Sequence, residues 1–277
     1  MNGLEDPHGD MPRVGPKAAE DDPEPTTAKK ARGLTLRAML PNTITAAALC
    51  AGLTGVRFGI SGDWAFAVLA IVLAGVLDGI DGRIARLLNA QSRFGAELDS
   101  LADNVSFGVA PALVLYMWAL QDLPRIGWLV ALAFAVCMAL RLARFNARID
   151  VDDQPHKSAG FLTGVPAPVG AGLAFLPFYL WKETGDVMFR DPAFIAIWVG
   201  VIAFLLISNV ATLSWGSIRP RRNVRLELIL LVGLVFTAAL LEPWWTLIGI
   251  CAIYLGFMPY GLIKYGRIKR QRKQRQR

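Results

Sequence analysis

The chain consists largely of long apolar runs separated by short polar segments. Runs of about 20 apolar residues, the length at which an α-helix crosses a bilayer, recur between the two ends of the chain. We predict eight membrane-spanning helices, over about residues 43–60, 64–88, 94–119, 126–148, 163–182, 192–214, 225–242 and 244–265. A soluble helical bundle does not require apolar runs of this length. The pattern therefore predicts an all-α, polytopic integral membrane helical bundle.

The two ends of the chain differ in composition from this apolar part. Residues 1–33 are rich in Pro, Gly, Asp, Glu and Lys and have almost no large apolar side chains, which is typical of a disordered tail. Residues 266–277 are a dense basic run. We therefore predict a disordered tail (1–33), a membrane domain (34–265) and a basic tail (266–277). Residues 33–40 are expected to form a short interfacial helix, with Pro41 and Asn42 opening the first span.

Basic residues are concentrated on one side of the predicted topology. The formal net charge is +7, and 25 of the 29 Lys and Arg residues fall in the tails, in the 4–5 and 6–7 loops, or near the turn between spans 2 and 3. By the positive-inside rule these parts face the cytoplasm, so both termini are expected there, in a bacterial inner or plasma membrane. The C-terminal run is expected to attract anionic lipid headgroups. No motif indicates a nucleic-acid partner.

Four aspartates interrupt the second and third apolar runs. Asp78 and Asp81 are three residues apart, and Asp99 and Asp103 four apart, so each pair projects from one face of its helix. A lone Asp within a span costs about 2.5–3.5 kcal/mol on insertion scales, so four of them indicate a function. Gathered carboxylates repel one another unless cations neutralise them, and hard oxygen ligands suit Mg²⁺ or Mn²⁺. The pattern therefore predicts a divalent-metal site near the cytoplasmic face.

Two further roles are compatible with the spacing of these aspartates. They could form a structural charge network with Arg83, Arg86 and Arg93, although the small residues Gly82 and Gly95 beside them favour close approach of a ligand. They could also line the pathway of a cation transporter. A transporter should distribute its acids through the full depth of the membrane, whereas these cluster on two helices near one face. That clustering favours an enzyme.

Polar residues also end the fourth predicted span. Arg141 and Arg144 lie three residues apart, and Asn146 follows. The two arginine side chains could extend from the end of the span to place their charged groups in the polar membrane interface. Alternatively, they could bind a phosphate or carboxylate through paired guanidinium donors. Three isolated cysteines and two histidines give little support to a disulfide framework or a zinc site.

The aspartates belong to a longer pattern that resembles the signature of the CDP-alcohol phosphotransferase family. Its specified positions are Asp78, Asp81, Gly82, Ala85, Arg86, Gly95, Asp99 and Asp103. Segments around it resemble the serine-accepting branch of that family, namely LPNTIT (40–45), QSRFGAELDSLAD (91–103), VSFGVAPA (105–112), RLARFN (141–146) and GVPAP (164–168). Members that make phosphatidylglycerophosphate typically have LDPxADK where this chain has LDSLADN at 98–104.

The resemblance implies a homodimeric membrane enzyme with its active site open to the cytoplasm. It implies transfer of a phosphatidyl group from CDP-diacylglycerol to the hydroxyl of L-serine, with release of CMP. Another acceptor alcohol, such as glycerol 3-phosphate, inositol phosphate or choline, is the alternative.

The resemblance also implies roles for individual residues. Two Mg²⁺ or Mn²⁺ ions would be held by Asp78, Asp81, Asp99 and Asp103. Asp103 would also be the catalytic base. The CDP site would be formed by Asn42, Asp78, Gly82, Ala85, Arg86, Arg93 and Gly95. The lipid phosphate or serine is expected at Arg141, Arg144 and Asn146.

Overall fold

The computed structural model describes residues 36–147, 161–163, 165–208, 211–213 and 225–258. Two long helices begin this part of the chain, α1 (Leu36–Ile60) and α2 (Trp64–Leu87). Gly62, in the short turn between them, has φ +79°, which glycine adopts without strain. A Cβ on Gly55 would lie 2.8 Å from the carbonyl oxygen of Ala67. Glycine at this position therefore allows α1 and α2 to pack closely.

The third apolar segment is helical from Arg93 to Trp118 but changes its winding in the middle. It consists of α3 (Arg93–Asp103), a π-helical turn (Asn104–Val109) and α4 (Ala110–Trp118). Ser92 caps the start of α3, where its Oγ accepts a hydrogen bond from the backbone N–H of Gly95 at 3.0 Å. Pro111, the second residue of α4, has no N–H to donate, so the regular α-helical hydrogen bonding is interrupted close to the π-helical turn.

Helix α5 (Ile126–Asn146) follows a short 3₁₀ turn at Leu120–Asp122. A Cβ on Gly127 would overlap the carbonyl oxygen of Leu120, so only glycine fits at the start of this helix. At the opposite end of α5, its last two turns carry Arg141, Arg144 and Asn146.

The second half of the described chain contains shorter helices and one small sheet. The helices are α6 (Ala167–Ala174), α7 (Leu176–Thr184), α8 (Pro192–Ile207), α9 (Arg225–Leu241) and α10 (Pro243–Met258). Strand β1 (Phe161–Thr163) pairs antiparallel with β2 (Ala211–Leu213), with Leu162 opposite Thr212. This ladder joins the chain just before α6 to the chain just after α8.

Large apolar side chains occupy both the interior and the outer surface. Trp118, Phe134 and Phe178 are fully buried, and the Trp118 and Phe178 rings meet edge to face at 5.1 Å between centroids. Leu230 and Phe236 on α9 are 72% and 64% exposed, as expected for side chains that face lipid. Within the part of the chain that the structure describes, four helices are long and apolar enough to cross a membrane: Met39–Ile60, Trp64–Leu87, Arg93–Trp118 and Ile126–Asn146. The predicted helical membrane fold is confirmed, and the count of eight spans stays a prediction.

Several predicted boundaries were wrong, and each has a local cause. Helix α1 begins at Leu36 and continues through Pro41, so no separate interfacial helix precedes it among the described residues. The predicted fifth span (163–182) is divided into α6 and α7, and Pro177 at the second position of α7 cannot continue the bonding of α6. The predicted sixth span (192–214) ends at Ile207, because Ser208 is extended and leads into β2. The predicted tails, 1–33 and 266–277, lie outside the described residues.

Candidate active site

Two helices bring three aspartates together. Asp78 is on α2, and Asp99 and Asp103 are on α3, one helical turn apart. One carboxylate oxygen from each lies within 4.8 Å of the other two, and all three residues are partly buried. The turn that permits this contains Asn89 at φ +48°, a conformation that Asn tolerates better than most residues. The chain therefore reverses between α2 and α3 and aligns the two aspartate-bearing ends.

These three residues, called the carboxylate cluster below, fit a divalent cation. Three carboxylates in a partly buried position repel one another, and a cation between them removes that repulsion. Their donors are all oxygen atoms, the ligand type that Mg²⁺ and Mn²⁺ prefer. The cluster could therefore hold a divalent metal.

Asp81 lies outside the carboxylate cluster, although its motif position predicted it as a fourth metal ligand. Its side chain is only 3% exposed, and its Oδ2 accepts a hydrogen bond from Thr45 Oγ1 at 2.6 Å. Thr45 is on α1 and is itself buried, with 5% exposure. One oxygen of Asp81 is therefore held by α1, and the carboxylate keeps lone pairs for a further ligand.

We predict that Thr45→Val destabilises the protein by about 1–3 kcal/mol, because it leaves a buried carboxylate oxygen without its donor. Thr45→Ser keeps the hydroxyl and should lose less. Thermal unfolding in detergent measures the change. Thr54→Val is the matched control, because the Thr54 hydroxyl on the same helix is exposed and donates to the carbonyl of Cys50. Equal destabilisation by both valines would refute a special role for the Thr45–Asp81 bond.

The two arginines of α5 both donate to backbone carbonyls of the neighbouring segments. Arg141 Nε donates to the carbonyl oxygen of Val165, just before α6, and its guanidinium is close enough to Asp103 for charge attraction. Arg144 Nη1 donates to the carbonyl oxygen of Ile207 at the end of α8, at 2.9 Å. These bonds tie α5 to both ends of the segment closed by the β1–β2 ladder. Among the described residues, Arg141 is the cation that attracts a member of the carboxylate cluster, Asp103.

Asn146 is also attached to the site. It is the last residue of α5, and its Nδ2 donates to Ser100 Oγ on α3 at 2.8 Å. Ser100 directly follows Asp99. The contact therefore fixes the end of α5 beside the helix that carries two of the clustered aspartates.

The sequence profile of the CDP-alcohol phosphatidyltransferase family matches residues 38–208, which include every element of this site. This chain belongs to that family. A second profile, CDP-alcohol phosphatidyltransferase 2, matches residues 223–259.

Several curated relatives of this chain are named CDP-diacylglycerol–serine O-phosphatidyltransferase. The protein of Mycobacterium tuberculosis is 38% identical over 231 residues, covering 83% of this chain and 80% of its own length. That of Helicobacter pylori is 30% identical over 227 residues, covering 82% of this chain and 90% of its own. That of Bacillus subtilis is 36% identical over 172 residues, covering 62% of this chain and 88% of its own length. The chain is thus similar to these proteins over most of its length.

Other positions of the family signature lie at the same end of the helices as the cluster. A Cβ on Gly95 would come within 2.8 Å of Asn42 Oδ1, so α1 and α3 touch through this glycine. A Cβ on Gly82 would meet nothing within 4 Å, and Arg86 Nε donates to the Gly82 carbonyl at 2.9 Å. Ala85 is half-buried and Arg93 is exposed. Gly82 is therefore not required by packing, in contrast to Gly95.

Sequence reasoning missed three polar residues in this region. Thr45, Ser100 and Asn104 were not predicted as site residues, although each lies within or directly beside a segment that carried the family resemblance. The spacing of the aspartates could not indicate them, because Thr45 and Ser100 are identified by hydrogen bonds that join different helices, and these bonds are visible only in the tertiary structure. The buried Asn104 Oδ1 has no hydrogen-bond partner within the described ranges, and it follows Asp103 at the start of the π-helical turn.

Proposed function

We propose that this protein transfers the phosphatidyl group of CDP-diacylglycerol to the hydroxyl of L-serine, producing phosphatidylserine and CMP. The observation that carries the proposal is the carboxylate cluster of Asp78, Asp99 and Asp103 at the positions of the family signature. The choice of serine as acceptor rests on the relatives, whose common name specifies that reaction.

The proposed metal site takes Mg²⁺ or Mn²⁺, two ions in all. Asp78, Asp99 and Asp103 would supply ligands from the cluster, and Asp81 would supply a further carboxylate oxygen while Thr45 holds its side chain in place. When bound, such ions neutralise the pyrophosphate of the donor and the charge that develops on the departing CMP.

Asp103 is proposed as the base in a direct displacement. The serine oxygen forms a bond to the phosphorus that carries the diacylglycerol, and the bond from that phosphorus to the CMP oxygen breaks. The hydroxyl proton passes to the Asp103 carboxylate, and CMP leaves with the electron pair. Arg141 is close enough to Asp103 for charge attraction, and its bond to the Val165 carbonyl limits the movement of the guanidinium.

The remaining polar groups are proposed to bind the substrates. The cytidine diphosphate part would lie against Asn42, Asp78, Gly82, Ala85, Arg86, Arg93 and Gly95. The lipid phosphate and the serine carboxylate would be bound by Arg141 and Arg144, and the serine ammonium by Asn146. The open space at Gly82 supports this arrangement, because it leaves room for a ligand against the backbone of α2.

We predict that Gly82→Ala raises the KM for CDP-diacylglycerol by at least about tenfold without lowering stability. Its new methyl group would meet no protein atom within 4 Å, and Ala is favoured over Gly in a helix by about 1 kcal/mol. Gly200→Ala on α8 is the control, since its Cβ would also meet nothing within 4 Å. Steady-state kinetics and thermal unfolding of both variants provide the comparison. An unchanged KM in Gly82→Ala would place the nucleotide elsewhere.

We propose that the enzyme is an integral membrane homodimer with both termini and the active site at the cytoplasmic face. The distribution of Lys and Arg supports this orientation. Cysteine labelling from either side of sealed vesicles would test it.

The function itself is tested with purified protein, CDP-diacylglycerol and a panel of alcohols. We expect CMP release and phosphatidylserine formation with L-serine in Mg²⁺ or Mn²⁺, and excess L-serine should block transfer to every other alcohol. Transfer to glycerol 3-phosphate that is insensitive to excess L-serine would contradict the assigned acceptor. Full turnover after removal of divalent metal would contradict the metal site.

A further inference from the structure

The side-chain amide of Asn146 is oriented by a chain of two hydrogen bonds. Its Nδ2 donates to Ser100 Oγ at 2.8 Å, and the Ser100 hydroxyl donates to the carbonyl oxygen of Ala96 at 3.0 Å. A hydroxyl has one proton and a carbonyl can only accept, so the Ser100 oxygen must accept from Asn146. The amide therefore directs its NH₂ group to Ser100, and its carbonyl oxygen Oδ1 is on the opposite branch.

This orientation decides which ligand the amide can bind. An ammonium group has three donors and no acceptor, so it binds an amide oxygen and is repelled by an amide NH₂. No hydrogen bond from the described part of the chain occupies Asn146 Oδ1. If the Ser100 hydroxyl were absent, the amide could rotate and present either branch.

Ser100 is close to the groups that the proposed reaction uses. It follows Asp99 directly and precedes Asp103 by three residues, an axial distance of about 4.5 Å along α3. On α5, Arg141 precedes Asn146 by five residues and is close enough to Asp103 for charge attraction. The seam between α3 and α5 thus offers one cation and one oriented amide oxygen beside the carboxylate cluster, which matches the carboxylate and the ammonium of an amino acid.

We infer that Ser100 is a positioning residue that orients Asn146 Oδ1 toward the ammonium of the acceptor, and so selects an amino alcohol over an alcohol without the amine. This inference rests on the proposed function. It assigns to Ser100 a role in acceptor specificity that acts through Asn146, without contact between Ser100 and the reacting atoms.

The test compares L-serine with 3-hydroxypropionate, which has the same hydroxyl and carboxylate but no amine. We expect Ser100→Ala to raise the KM for L-serine by about five- to tenfold, the usual effect of losing one hydrogen bond. The KM for CDP-diacylglycerol and the inhibition constant of 3-hydroxypropionate should each change by less than about twofold. Ser100→Thr retains the hydroxyl and should restore the KM for L-serine.

The control is Ser61→Ala, because the Ser61 hydroxyl likewise bonds to the carbonyl four residues earlier but lies in the turn between α1 and α2. Its kinetic constants should match those of the wild type. A second pair of variants tests the inference if Ser100→Ala does not fold. Asn146→Asp keeps an acceptor and should bind L-serine at least about fivefold better than Asn146→Leu, which has none.

The outcomes separate this inference from the proposed function. If the wild type forms no phosphatidylserine, the proposed function fails before Ser100 is tested. If the wild type forms phosphatidylserine and Ser100→Ala leaves the KM for L-serine unchanged, the inference is overturned. It is also overturned if Ser100→Ala raises the KM of both substrates and the inhibition constant equally, since Ser100 would then act only on helix packing.

Discussion

Asp78→Asn and Asp99→Asn are each expected to reduce turnover by about 10²–10³-fold or more while the protein still inserts and folds. Both side chains belong to the carboxylate cluster and have a ligand oxygen within 4.8 Å of the two others. An amide has the same shape as the carboxylate but no charge, so it binds a divalent cation much more weakly. It also removes repulsion within the cluster, so stability should not fall.

The readouts are CMP release, divalent-cation binding by calorimetry, and thermal unfolding. Glu97→Gln is the matched control, because Glu97 is on the same helix α3 but is exposed and outside the carboxylate cluster. It should leave all three quantities near the wild-type values. Metal binding that is unchanged in Asp78→Asn and Asp99→Asn would contradict the proposed metal site, whatever the effect on turnover.

Asp103→Asn is expected to reduce turnover by a similar factor but to weaken CDP binding much less. The proposed base acts on the serine hydroxyl, and the nucleotide does not depend on that proton transfer. Asp103 nevertheless belongs to the carboxylate cluster, so some loss of metal affinity should accompany the substitution. The expected signature is therefore a loss in turnover at least about tenfold greater than the loss in CDP affinity.

Calorimetric titration with CDP in the presence of Mn²⁺ measures the affinity, and CMP release from CDP-diacylglycerol measures turnover. Asp99→Asn provides the comparison, since a residue that acts only as a ligand should lower both quantities together. If Asp103→Asn gives the same pattern as Asp99→Asn, Asp103 is chiefly a metal ligand and the base must be sought elsewhere.

Much of the helical framework could be predicted from the chain itself. The predicted spans 64–88 and 126–148 agree closely with α2 (Trp64–Leu87) and α5 (Ile126–Asn146). An apolar run long enough to cross a bilayer must satisfy its backbone internally, so it forms a helix whatever its neighbours are. The prediction failed after Ala174, where α6 ends although the apolar run continues into α7, and at Ser208, where α8 has ended.

The approach of the aspartates was predictable for a similar reason. Asp99 and Asp103 are one turn apart on one helix, and a short turn connects that helix to the one carrying Asp78. Local spacing and a reversal of the chain are sufficient to bring such residues to one level of the membrane. The family signature indicated the chemistry only through resemblance, and the residue roles taken from it are proposals.

The sequence alone thus determined the helical membrane fold and the helices that carry the aspartates, because apolar length and residue spacing act within single helices. It grouped Asp81 with Asp78, Asp99 and Asp103, whereas the structure places Asp81 outside the carboxylate cluster and against Thr45. The tertiary structure alone decided the partners that connect helices. Thr45 donates to Asp81 across 36 residues, Arg144 to the Ile207 carbonyl across 63, and Asn146 to Ser100 across 46. Such bonds depend on how helices pack and rotate against one another, and that arrangement follows from the sum of many small contacts distributed over the whole chain.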